Sequence, residues 1–211
     1  MMKILLLTPI LCISLHCMSQ TRIAARAGMN LATINFNDYK LEKRPLTRLN
    51  AGLMIDIPLE ENWSIYTGPY YAGKGVIHGR RFGANIIDSV TIRLNYIELP
   101  VNVAYKFPSQ NKNRFAIAAG PYIGYGFNGE IFTINSNRPP EKQLHKKETD
   151  KYKRLEVGYN LSSLYEIHNK WGFRVDYSKS LLTIHRYNKK RNSVFGFSFF
   201  WYLNNKKEEV D

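Results

Sequence analysis

Three things are scarce in this chain of 211 residues: cysteine, acid, and apolar runs long enough to cross a bilayer. Each scarcity excludes something. The two cysteines are Cys12 and Cys17, both in the leading segment. Cleavage before Gln20 leaves no cysteine for a disulfide framework, a thiolate metal site or a thiol nucleophile. Beyond residue 15 no stretch approaches the roughly 20 apolar residues that a spanning helix needs. Mean hydropathy is only -0.35, which excludes a helical membrane protein. It does not argue against a membrane barrel, in which only alternate residues face lipid. Asp and Glu number 17 against 30 Lys and Arg, a formal net charge of +13. Such a balance suits nucleic acid, but an exported chain meets none. Anionic lipid head groups or anionic polysaccharide are the expected counterpart, or the charge is simply a solvated loop surface.

Export itself is read from the start of the chain. Lys3 supplies a positive n-region, residues 4–15 an apolar h-region, and Cys17 and Ser19 a cleavage site at -3 and -1. Residues 1–19 are therefore expected to be a signal peptide, whose loss lowers the net charge from +13 to +12. A short spanning helix and a lipoprotein signal on Cys17 are the alternatives; His16 before that cysteine fits the second poorly.

What the chain has in abundance is alternation. From Asn95 to Phe107 the odd positions Ile97, Leu99, Val101, Val103, Tyr105 and Phe107 are apolar, and the even ones include Glu98, Asn102 and Lys106. A period of two is a strand, because successive side chains point to opposite faces. The pattern recurs at 23–31, 49–57, 115–127, 155–161, 171–177 and 195–201. No helix is at hand to cover so many apolar faces. The fold class this predicts is all-β: an eight-stranded antiparallel up-and-down transmembrane β-barrel, lipid outside and a polar lumen inside. The strands are expected at 22–36, 46–58, 62–77, 89–107, 113–130, 151–167, 170–183 and 192–203. Short connections (58–62, 108–112, 167–170) alternate with long ones (37–45, 78–88, 131–150, 184–191). That arrangement suits periplasmic turns and outer loops, with both termini in the periplasm. The barrel domain is then 20–203, and 204–211 a short charged periplasmic tail. Trp63, Tyr105, Phe107, Trp171 and Trp201 fall at turn-side strand ends, where interfacial girdles form. A soluble lipocalin-like barrel with the faces reversed is the rival architecture.

Four segments carry a resemblance: RAGMNL at 26–31, YTGPYYAGKG at 66–75, NYIELPVNVAYKF at 95–107 and GPYIGYG at 120–126. Together they resemble the outer-membrane β-barrel proteins of Bacteroidota termed PorT-like or "porin family", over about residues 20–203. The resemblance implies a small eight-stranded barrel of the OmpA transmembrane type in the bacterial outer membrane. Gly196, Phe199 and Trp201 in the last strand resemble a signal read by the outer-membrane assembly machinery, from which the residues after Leu203 depart.

Inward positions are expected to form a polar network of Arg26, Asp56, Glu98, Lys106, Arg154, Glu156, Arg174 and Asp176. Eight strands enclose only enough room for side chains, so oppositely charged residues can pair across the lumen and plug it. Glu98 and Asp176 could in principle serve acid–base chemistry, but salt bridging to Arg and Lys is the favoured explanation. His78 and His185, with Ser180, Ser193 and Asp88 nearby in sequence, are the candidates for a lipid-modifying enzyme. No Gly-x-Ser-x-Gly elbow supports them, and no metal or phosphate motif stands out, so no cofactor is expected. Arg138, Lys142, Lys146, Lys147 and Lys151 give the longest loop a basic character, extended by Arg186, Lys189, Lys190 and Arg191. The expected function is non-enzymatic: a structural or surface-interaction barrel whose partners are outer-membrane lipid, lipopolysaccharide and possibly other envelope proteins. A narrow pore or ligand-uptake protein is the alternative, and a lipid-modifying enzyme the third.

Overall fold

The computed structural model describes residues 21–35, 42–82, 86–109, 112–134, 144–147, 152–185 and 190–204. Among these there is no helix, and eleven strand segments close on themselves. In chain order they are β1 (Arg22–Asn35), β2 (Glu42–Arg44), β3 (Leu46–Pro58), β4 (Trp63–Thr67), β5 (Tyr70–Phe82), β6 (Ile86–Lys106), β7 (Arg114–Ile134), β8 (Leu144–Lys147), β9 (Leu155–Ile167), β10 (Trp171–Ser180) and β11 (Arg191–Tyr202). All pairings are antiparallel. β1 pairs with β3, β3 with β4 and β5, these with β6, and then β6–β7, β7–β9, β9–β10 and β10–β11 follow. β11 returns to β1, with Ala25 opposite Trp201 and Asn35 opposite Arg191. The ring is eight-stranded because β4 and β5 are one strand in a single register. Closure leaves no membrane-buried edge, which hydrocarbon would not tolerate.

The breaks have local causes. Pro69, without an N–H, and Gly68, at φ 126°, separate β4 from β5. A Cβ at Gly68 would sit 2.7 Å from the Leu53 carbonyl oxygen, so only glycine fits there. Pro45 separates β2 from β3 in the same way. The β9–β10 hairpin turns on His168 (φ 51°) and Asn169 (φ 56°), both left-handed, as a two-residue turn matched to strand twist requires. Its Lys170 N–H donates to Ile167 O at 3.1 Å.

The faces divide by parity. Even-numbered Met54, Tyr66, Leu94, Ala104 and Phe200 are buried, whereas odd-numbered Met29, Leu49, Leu161 and Phe197 are exposed. Leu49 is 64% and Met29 57% exposed, while Met54 and Phe200 are at 1%. Apolar side chains outside and polar ones inside reverse the soluble arrangement and set the lipocalin-like alternative aside. One residue resets the parity. Asn95 and Asn128 are partners, but so are Tyr96 and Gly126, which leaves Phe127 as an extra residue on β7. Beyond this bulge Ile131 packs inward.

The structure departs from the sequence reading at the loop end. Residues 78–88 are not a long loop: β5 runs to Phe82 and β6 begins at Ile86, paired from Tyr70–Glu98 to Phe82–Ile86. Within 131–150, β7 continues to Ile134 and pairs with β8. Backbone pairing holds these extensions together although their sequence shows no alternation. The expected signal peptide and the tail beyond Asn204 lie outside the described residues.

Candidate functional site

The interior is built in layers. At the turn end, Arg22 forks between two carboxylates: its Nη1 donates to Glu166 Oε1 at 2.5 Å and its Nη2 to Asp56 Oδ2 at 2.6 Å. Lys106 Nζ donates to both oxygens of Asp56, at 2.7 Å to Oδ2 and 2.9 Å to Oδ1. Tyr202, whose ring lies under the Arg22 guanidinium at 4.0 Å, closes the group. Ala24, Met54, Tyr66, Ala104, Ala116, Ala118, Leu164 and Phe200 pack against this layer as an apolar cluster that also includes Tyr202.

The middle of the barrel holds a second charged group. Arg174 Nε donates to Asp176 Oδ1 at 2.6 Å, its Nη2 to Ser162 Oγ at 2.8 Å, and Arg26 Nη2 lies 3.5 Å from Asp176 Oδ2. Asn50 donates to Asn30 at 2.7 Å, and Asn30 in turn to the Gly73 carbonyl at 3.1 Å. Above them Lys74, 1% exposed, is clasped between Glu98 and Glu156, with Nζ 2.7 Å from Glu156 Oε1. Tyr70 donates to Glu98 and Tyr122 to Glu156, each at 2.5 Å, and Asn192 to Glu156 at 2.6 Å. Gly158 faces the Tyr122 ring so closely that a Cβ there would collide with it. A second apolar cluster, including Ile34, Val76, Ile92, Leu94, Tyr96 and Ile184, caps the loop end.

Charge balances across these layers. Arg22, Arg26, Lys74, Lys106 and Arg174 face Asp56, Glu98, Glu156, Glu166 and Asp176. Five against five matters because an unpaired buried charge is costly and a paired one is tolerated. Between the middle and upper groups remains a cavity of about 10 Å³, lined by Arg26, Asn30, Tyr70, Lys74, Glu98 and Asp176 among others. That is room for about one water.

Seven of the eight residues expected inside are there: Arg26, Asp56, Glu98, Lys106, Glu156, Arg174 and Asp176 are all buried. Arg154 is not. β9 begins only at Leu155, so the alternation that would turn Arg154 inward has not started. Its side chain is exposed and donates to Tyr125 Oη at 3.0 Å on the outer wall. The expected network does not include Arg22, Lys74 or Glu166, although each sits at an even position within a strand. For Arg22 and Glu166 parity is enough; Lys74 is flanked by Gly73 and Gly75, which show no alternation.

The remaining candidates are scattered. Gly196 lines the small cavity, while Phe199 and Trp201 stand outside at 39% and 49% exposure. Lys146 and Lys147 lie on β8, opposite Ile131 and Glu130. Arg138, Lys142 and Lys151, like Arg186 and Lys189, lie outside the described residues. His185 packs edge-on against Tyr152, with ring centroids 5.3 Å apart. Ser180 donates to the Leu182 carbonyl at 2.7 Å and Ser193 to Tyr177 Oη at 3.3 Å. Each therefore has a bond of its own rather than a place in a triad. Among the described residues no group of three His, Cys, Asp or Glu could hold a metal ion.

Comparison with known proteins agrees with this architecture. The family model described as "Outer membrane protein beta-barrel domain" matches residues 18–186. No curated protein matches the chain in sequence. Among solved structures, the attachment invasion locus protein of Yersinia pestis is similar at 11% identity and a TM-score of 0.46, over 86% of this chain and 97% of that one. Neisserial surface protein A is similar at 7% identity and a TM-score of 0.44, over 85% and 96%. The outer membrane protein OprG of Pseudomonas aeruginosa is similar at 9% identity and a TM-score of 0.38, over 87% and 96%.

Proposed function

Because the chain belongs to the outer membrane protein beta-barrel domain family, and so to the bacterial outer membrane, we propose that it is a non-enzymatic barrel with a plugged lumen and a structural or surface-interaction role. The observation that carries this reading is the interior: five cations paired with five carboxylates between two apolar clusters, with a cavity of only about 10 Å³ among them. A continuous water path would have to break several buried ion pairs, and breaking one by removing a partner typically costs about 3–5 kcal/mol.

The finer assignments rest on sequence. The segments at 26–31, 66–75, 95–107 and 120–126 support a PorT-like barrel of the Bacteroidota. Residues 1–19 support export by a signal peptide. Gly196, Phe199 and Trp201 support recognition by the assembly machinery. With short turns and both termini in the periplasm, Arg138, Lys142, Lys146, Lys147 and Lys151 belong to a basic outer loop that meets lipopolysaccharide phosphates.

Planar-bilayer recording on the refolded full chain tests the plug. The expected outcome is no steady conductance at moderate voltage. A stable, ion-selective conductance would replace the plug with the narrow-pore reading.

A further inference from the structure

The outward wall has relief that the lumen does not explain. Cross-strand register sets Phe107, Phe115, Tyr165, Phe173 and Phe199 side by side, forming a lateral ridge of rings across five neighbouring strands. Phe107 and Phe115 have centroids 5.5 Å apart, and Phe173 and Phe199 5.9 Å. In the next two rows away from the turn end the centre holds Ile117, Ala119, Ser163 and Val175, which are smaller, with Tyr105, Leu161, Tyr177, Phe195 and Phe197 around them. Above the ridge these rows leave an open groove of about 610 Å³, lined by Tyr105, Ile117, Ala119, Leu161, Ser163 and Tyr177 among others and running from Trp63 to Phe195. This volume lies within the range of about 300–1,000 Å³ typical of small-molecule sites.

The groove climbs. Trp63 opens β4 beside the turn, while Phe195 lies seven residues short of the end of β11 at Tyr202. It therefore leads from the turn side of the wall toward the loop side. At its upper end the next outward residue on β10 is Lys179, paired with Ser193, and Arg191 lies two residues beyond Ser193 on the same face. The outward positions of β9, β10 and β11 carry no Asp or Glu. Two cations thus stand above an apolar slot with no carboxylate on their face of the sheet. The charge complementary to them is an anion from the membrane itself.

We propose that this groove is a lipid site, holding an acyl chain of a phosphorylated outer-leaflet glycolipid with lipid A chemistry, whose phosphate rests on Lys179 and Arg191. The proposal relies on the outer-membrane orientation given above but not on the basic loop. The slot selects chain over head group: Trp63, Tyr105, Tyr177 and Phe195 bound it, and Ala119, Ser163 and Val175 lie between them. The two cations fix which end of the lipid faces outward.

The test is native mass spectrometry of the full chain in detergent, titrated with bis-phosphorylated lipid A. Two variants accompany the wild type: A119F/S163F, which fills the groove, and K179Q/R191Q, which removes the charge. A gel-mobility shift on boiling verifies that each is folded. The wild type is expected to retain one lipid A, and each variant to lose about tenfold or more in retention. Lipid A stripped of phosphate should behave like the charge variant. Equal retention by A119F/S163F would overturn the proposal, as would equal competition by phosphatidylethanolamine or dimer cross-linking through Ser163→Cys. The loop variant K142E/K146E/K147E is expected to retain lipid A normally. If it alone lost the lipid, the groove site would be refuted while the loop reading stood.

Discussion

Lys74 shows how much a single inward residue can decide. Among the described residues it is the cation paired with both Glu98 and Glu156, and its ammonium also faces the rings of Tyr96 and Tyr122 at 5.0 and 4.9 Å. Lys74→Met keeps the length and removes the charge, which leaves two buried carboxylates facing each other. The expected loss is about 3–5 kcal/mol, read as a lowered urea midpoint of the barrel in lipid vesicles. A change under about 1 kcal/mol would mean that the upper charged group contributes little to stability. At this scale the sequence was readable wherever parity was applied, as for Glu98, Glu156 and Asp176. It was misread where parity was carried past a strand end, as at Arg154. It went unread where a residue was masked by its neighbours, as Lys74 is between Gly73 and Gly75.

Among the elements, β7 is the most informative. Its lower half, from Phe115 to Phe127, keeps strict alternation, and its upper half changes phase at one extra residue. Deleting Phe127 should remove the bulge and rotate everything above it by one position. Ile131→Cys should then change from shielded to reactive toward a membrane-impermeant maleimide, with Leu155 below the bulge unaffected. Unchanged reactivity would mean that the upper hairpin is not set by this register. The bulge was not legible in advance because Gly126, Asn128 and Gly129 carry no alternation. The extensions of β5, β6 and β7 beyond the apolar belt were hidden for the same physical reason. A strand that need not keep an apolar face toward hydrocarbon is under no pressure to hold a period of two. Backbone pairing holds strands such as Arg81–Ile87 and Phe82–Ile86 together without leaving a side-chain signature.

As a whole, the molecule is a closed wall that turns its apolar side chains outward and folds its charges inward in matched layers. Its architecture was legible because a barrel in lipid must alternate along every crossing and must close its edges. The layering of the interior was only partly legible. Which inward residues share a layer depends on the stagger between strands, and a list of faces does not contain it: Arg22 and Glu166 are 144 residues apart yet share a hydrogen bond. The filling of the lumen and the groove on the wall are both consequences of that stagger, one on each side of the same sheet.

The central claim, that odd positions meet lipid and even positions meet the packed interior, can be tested on one strand. With no cysteine after Cys17, single cysteines can be placed along β9 from Leu155 to Tyr165 and spin-labelled in bilayers. Collision with oxygen and with a water-soluble relaxation agent should show a period of two. The account predicts high oxygen contact at Val157, Tyr159, Leu161 and Ser163, and little contact with either agent at Asn160 and Ser162. The opposite phase, with the odd positions shielded and the even ones open to the water-soluble agent, would contradict it and return the chain to the class of soluble barrels.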